Sequence, residues 1–180
     1  MPTCAEARPG SCPCCGAPSQ PVGGRLVIVG HGLLKRQLCG PASPSSGPKQ
    51  DHITLRRYRC RACNAVLIVG PRGLARRRWY SAPAIALALS RYGRGETSKA
   101  VRARLSASTL VGASAVDRWM TLIRWIESAR RGQLFQVTGL GELSRRGVAE
   151  HVALALAARG GHRLGDDLTE SAYRGASIAA

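Results

Sequence analysis

Two short groups of cysteines carry the most legible chemistry in this chain. Cys12-Pro13-Cys14-Cys15-Gly16 and Cys60-Arg61-Ala62-Cys63-Asn64 each contain a C-x-x-C spacing. That spacing sets two thiolates at the ends of a tight turn, and two such turns complete a tetrahedral site suited to zinc. The residue after each pair must tolerate positive φ, which Gly16 does freely and Asn64 does better than most other side chains. Cys12, Cys15, Cys60 and Cys63 are therefore the expected ligands of one structural Zn2+. Cys14, Cys39 and His31 leave the set open, since Cys39 or His31 could supply the fourth ligand and Cys14 lies between the first pair. A metal-free group of thiols is the plain alternative. A disulfide framework is disfavoured, because the N-terminus Met1-Pro2-Thr3-Cys4 lacks an apolar export segment.

The elements flanking these turns read as strands. Arg25–Val29 is short and β-branched, Ile53–Cys60 alternates and runs into the second cysteine pair, and Ala65–Val69 runs out of it. Strand, turn, strand is the build of a zinc ribbon, expected over 12–71, with a flexible lead-in over 1–11 and a Pro/Ser-rich loop at 39–51. Gly30-His31-Gly32 opens like a dinucleotide loop, but Lys35 stands where a third glycine is needed. Few aromatics are available for a core, so metal is expected to brace this half.

Charge separates the chain into zones. The formal net charge is +17, and residues 52–78 hold eight basic residues and no acidic one, whereas residues 132–180 hold five of each. An Arg-rich codon bias accounts for arginine over lysine but not for this distribution. A concentrated positive field attracts polyanions, nucleic acid above all. Arg56, Arg57 and Arg59 on the strand, and Arg76, Arg77 and Arg78 in a basic linker over 72–80, are the expected phosphate contacts. Trp79 and Tyr80 are expected to pack on the segment C-terminal to them.

From Ser81 the apolar period turns helical. Ser81-Ala82-Pro83 starts a helix carrying Ile85, Ala88, Leu89 and Tyr92 inward, and Thr97–Leu105 forms a second with Lys99 and Arg102 outward. Ser114-Ala115-Val116-Asp117 is a capping box opening a third, with Val116, Trp119, Met120, Ile123 and Ile126 inward to about Arg130. Three helices over 81–131 make a helix-turn-helix unit, though the loop Ser106–Ala113 is longer than the compact form has. Ser114, Arg118 and Thr121 would face DNA near the start of the reading helix. A further helix is expected within 132–159, over Ser144–Arg159, and a disordered tail over 160–180. The fold class is α+β.

A zinc ribbon followed by a basic helix-turn-helix resembles the DNA-binding region of bacterial insertion-sequence transposases and their stand-alone relatives. The resemblance rests on C-P-x-C-G at Cys12–Gly16, R-Y-R-C-R-A-C at Arg57–Cys63 and S-A-V-D-R-W at Ser114–Trp119, and it spans roughly 12–130. It implies zinc at the four cysteines and double-stranded DNA at the third helix. A transposase core needs three carboxylates around two metal ions. Only ten acidic residues exist, five of them among the last 39 residues, and His31, His52, His151 and His162 are scattered singly. The expectation is a cytoplasmic, nucleoid-associated recognition subunit or transcription regulator with no membrane segment and not itself an enzyme. It would act alone, as a homodimer, or beside a separate transposase or recombinase subunit. An RNA-binding ribbon protein of the ribosome or polymerase is the alternative.

Overall fold

The structure, a computed structural model, describes residues 3–107 and 118–179. It is α+β, and its chain divides into two compact units: Met1–Gln37 with His52–Pro71, and Leu38–Asp51 with Arg72–Ala180. The three strands are β1 (Ile28–Cys39), β2 (Gln50–Cys60) and β3 (Val66–Val69), in the order β1-β2-β3. β2 and β3 form an antiparallel hairpin pairing Arg56 with Val69, Arg57 with Ile68, Tyr58 with Leu67 and Arg59 with Val66.

β1 departs from the sequence expectation. It starts at Ile28 rather than Arg25 and continues through Gly30-His31-Gly32, where the sequence suggests a break. As an edge strand it can absorb an irregular glycine without costing a two-sided ladder. The loop after it is shorter than expected, covering 40–49 between Cys39 and Gln50. It also belongs with the second unit rather than the first, to which the expected ribbon over 12–71 assigned it. The Cys39 N–H donates to the Trp79 carbonyl at 2.7 Å, and the Tyr173 hydroxyl donates to the Pro41 carbonyl at 3.0 Å.

The first unit has a very small core: Cys12, Ile28, Tyr58, Cys60 and Leu67, with Cys4, Ala7 and Val69 against it. The lead-in is not loose from residue 3 onward. Thr3 and Glu6 cap each other's backbone N–H groups at 2.7 and 3.3 Å, and the buried Tyr58 hydroxyl donates to the Cys4 carbonyl at 2.8 Å. One buried aromatic ring thus pins the N-terminal segment to β2.

The second unit is helical: α1 (Ala82–Gly93), α2 (Ser98–Leu105), α3 (Met120–Arg130), α4 (Arg145–Arg159) and α5 (Leu168–Ala179). Ser81, Thr97 and Ser144 cap α1, α2 and α4, each hydroxyl accepting from a backbone N–H three residues on. α1 is buried at every position from Ala82 to Ser90, not only along the expected stripe, because its alanines let neighbours approach from several sides. Those neighbours are chiefly α4 and α5, which also pack on each other. One core joins buried residues of all five helices, with α1, α4 and α5 packed most closely, so α1 lies chiefly against α4 and α5 rather than against the α2 and α3 partners expected over 81–131. Tyr80, Trp119 and Trp125 make a cluster of edge-to-face rings 5.0–5.8 Å apart.

Two further expectations fail. Trp119 and Ile126 are buried as expected, but α3 also turns Leu122, Trp125 and Ala129 inward and leaves Met120 49% exposed and Ile123 half-buried. The tail over 160–180 contains α5, whose Ala172 and Ala176 are fully buried. Small residues there make a close helix contact rather than disorder.

Candidate metal centre

Each cysteine pair sits in a turn of the same local design. The Gly16 N–H donates to the Cys12 carbonyl at 2.8 Å and the Cys12 N–H to the Ala17 carbonyl at 2.9 Å. In the second turn, the Asn64 N–H donates to the Cys60 carbonyl at 2.8 Å and the Cys60 N–H to the Ala65 carbonyl at 3.0 Å. Gly16 and Asn64 both lie in the left-handed region, at φ 72 and 61. The Arg61 N–H donates to the Val27 carbonyl at 2.9 Å, tying the second turn to the segment leaving the first.

This arrangement brings Cys12, Cys15, Cys60 and Cys63 together, with all four Sγ atoms within 4.8 Å of one another. Across the turns, Cys12 Sγ lies 3.7 Å from Cys63 Sγ and Cys15 Sγ lies 3.8 Å from Cys60 Sγ. A disulfide needs about 2.05 Å, whereas four sulfurs about 2.3 Å from a central ion stand about 3.8 Å apart along each tetrahedral edge. The four thiols thus suit one metal ion and not two disulfides. Cys12 and Cys60 are buried and Cys15 reaches the surface. Cys14 is exposed and, like Cys39 and His31, is not among these four.

Electrostatics of the bare thiols favour a cation. The backbone N–H of Cys15, then that of Cys14, pull the Cys12 thiol down to about 7. At Cys63 the largest single influence, the Ala65 N–H, also lowers the thiol. It is outweighed by Cys15, burial, Cys12 and Cys60 together, which push Cys63 up to about 12. The Ala17 N–H is likewise the largest influence on Cys15, but burial, Cys12 and Cys60 overcome it and raise that thiol. One negative charge is thus welcome in the cluster and further ones repel, unless a positive ion sits among them.

The chain matches no family model, no curated protein and no solved structure.

The basic residues expected at nucleic acid fall in different places. Arg57 and Arg59 share one face of the β2–β3 hairpin with Ile68 and Val66, while Arg56 lies on the opposite, Tyr58 face. Arg59 is exposed and donates to Asn64 Oδ1 at 3.0 Å. In the second unit Arg76, Arg77 and Lys99 are exposed, and Arg102 is half-buried. Arg78 is taken up by the fold, donating to Ser128 Oγ at 2.6 Å. Arg118 is exposed but precedes α3, which starts at Met120, and Thr121 is half-buried in its first turn. Ser114 and the rest of the expected capping box lie outside the described residues.

Three exposed residues are not marked by the sequence patterns. Arg61 stands on the second cysteine turn, Ile68 faces outward at 56% exposure, and Trp79 is 68% exposed rather than packed like Tyr80. Alternation against the buried Leu67 was the available signal for Ile68; none marked Trp79. Among the described residues, no helix is long and apolar enough to cross a membrane.

Proposed function

We propose that this protein is a zinc-braced, DNA-binding protein of transposase-like type, a recognition subunit or transcription regulator without a catalytic domain of its own. In this reading the four cysteines hold one structural zinc, the hairpin and its turns are the ribbon, and α2 and α3 supply the helical contacts. The carrying observation is the stretch from His52 to Gly95, which has ten arginines and no carboxylate. Such a field raises the local concentration of a polyanion and speeds its capture. Zinc is favoured over redox-active ions because two hairpin turns with little core need a permanent crosslink. The test is binding of the zinc-loaded chain to a mixed-sequence DNA duplex in a gel-shift assay. A shifted band is expected at low salt, and its absence would contradict the proposal.

Zinc affinity should depend steeply on pH. Above about pH 7.5 Cys12 is mostly ionised, while Cys15 and Cys63 still carry protons that loading must displace. Release of at least two protons gives an apparent affinity rising about a hundredfold or more per pH unit near pH 8. Competition against a chromophoric chelator at two pH values measures this, and a flat profile would argue against a four-thiolate site.

A second reading, single-stranded nucleic acid, is favoured by one observation: the exposed Trp79 closely follows the exposed Arg76 and Arg77 along the chain. An exposed indole next to guanidinium groups is a stacking platform for unpaired bases. Trp119 and Trp125 are buried, so tryptophan fluorescence quenched by added oligonucleotide reports chiefly on Trp79. The DNA-duplex reading expects little quenching by single strands and no change in duplex affinity for Trp79→Leu. Strong quenching by single-stranded RNA would favour the alternative.

A further inference from the structure

We infer that sequence is read by the outer face of the β2–β3 hairpin, laid into the major groove of duplex DNA with β3, an edge strand of the three-stranded sheet, leading. This rests on the DNA-binding reading above and replaces α3 as the reading element.

The hairpin register divides its side chains by face. Tyr58 and Leu67 form one cross-strand pair and turn into the core, so the adjacent pairs, Arg57 with Ile68 and Arg59 with Val66, turn outward together. Val66 and Ile68 are 51% and 56% exposed, although both are β-branched residues of a four-residue strand. Toward the turn the face therefore presents the exposed Arg59 and the half-buried Arg57 beside two aliphatic side chains, whereas Leu55, farther along the same face, is buried.

Each guanidinium has a defined seat. Arg59 is held by Asn64 Oδ1 through one N–H, and a guanidinium has five. Arg57 extends along the sheet toward β1, its terminal nitrogen 3.5 Å from where a Cβ on Gly32 would stand. Arg61 adds a second exposed guanidinium, after Arg59, at the hairpin tip, and the cysteine cluster anchors both ends of that turn.

Chemistry and dimensions select the partner. A protein surface with acidic residues would satisfy the arginines but not the paired apolar side chains. The major groove satisfies both, offering guanine N7 and O6 to arginine and the thymine methyl to aliphatic groups. With strands about 4.8 Å apart, the β3 edge and β2 with their side chains fit a groove about 12 Å wide, while β1 continues the sheet beyond β2. A single-stranded chain would call for aromatic platforms, and this face has none.

Selection from a random duplex pool with the full, zinc-loaded chain supplies the probe, and fluorescence anisotropy compares variants on the selected duplex and on a scrambled one. Arg59→Ala and the pair Val66→Ser/Ile68→Ser should lose about tenfold or more on the selected duplex and much less on the scrambled one. Zinc content and circular dichroism of each variant keep a folding failure distinct from a contact loss, and Arg59→Lys, which retains charge but not the fork, should still lose the preference. Lys99→Ala and Arg118→Ala should weaken both duplexes alike and lower the salt slope. Folded hairpin variants that keep the preference while Arg118→Ala abolishes it would overturn this inference and leave the DNA-binding reading standing. Failure to bind any duplex, or tighter binding to single-stranded RNA, would overturn both.

Discussion

Replacing Cys60 by serine is expected to take the zinc content from about one per chain to near zero and to unfold the first unit. Cys60 is fully buried, lies 3.8 Å from Cys15 Sγ and belongs to a core of only five buried residues. With so little apolar surface to bury, the unit on the proposed zinc reading would draw its folding free energy from the metal, and structural zinc supplies about 10–16 kcal/mol of apparent binding energy in comparable small sites. Loss of one thiolate removes a ligand and leaves a hydroxyl in a buried position. The readouts are metal analysis and two-dimensional NMR, in which resonances of 3–37 and 52–71 should collapse. Helical circular dichroism should persist, because the helices have a core of their own. Cys14→Ser should retain the metal, since Cys14 is exposed and outside the cluster. A metal-loaded Cys60→Ser chain would show that other ligands hold the ion.

The second large effect concerns the helical unit. Gly175 on α5 faces the backbone of α4 so closely that any Cβ would collide with the Leu156 carbonyl, and a Cβ on Gly160 would likewise meet the Ser171 carbonyl, though less severely. Backbone atoms cannot rotate out of the way as a side chain can. Gly175→Val should therefore force α5 away from α1 and α4 and destabilise the helical unit by about 3 kcal/mol, the upper end for overpacking. Denaturant unfolding followed at 222 nm measures it. A change below about 0.5 kcal/mol, the ordinary range for a surface position, would mean that α5 is not docked as described.

These two sites are not equally legible in the sequence. The metal cluster is, because ligand spacing and the positive-φ demand at Gly16 and Asn64 are local properties of a turn. The starts of α1, α2 and α4 are legible for the same reason, each marked by a capping hydroxyl at Ser81, Thr97 or Ser144. α5 is not: its buried face is Ala172, Gly175 and Ala176, and glycine with small side chains reads as a tail until a neighbouring helix is known to press against it. α1 shows only part of its buried surface, since alanine does not announce which side is inward. β1 is interrupted in the sequence pattern by Gly30 and Gly32, residues that an edge strand tolerates. The division of arginines between the two hairpin faces needs the pairing of Tyr58 with Leu67, a fact of register that residue types alone do not carry.

The proposed binding of duplex DNA by this arginine-rich, zinc-loaded chain is tested most directly by one affinity series. The zinc-loaded chain is titrated against a mixed-sequence duplex by anisotropy between about 50 and about 200 mM salt. Several phosphate contacts should make log K fall linearly with log salt concentration, with a slope near −0.9 per contact, so that six contacts cost about a thousandfold over this range. No measurable binding at the lowest salt, or an affinity indifferent to salt, would contradict it.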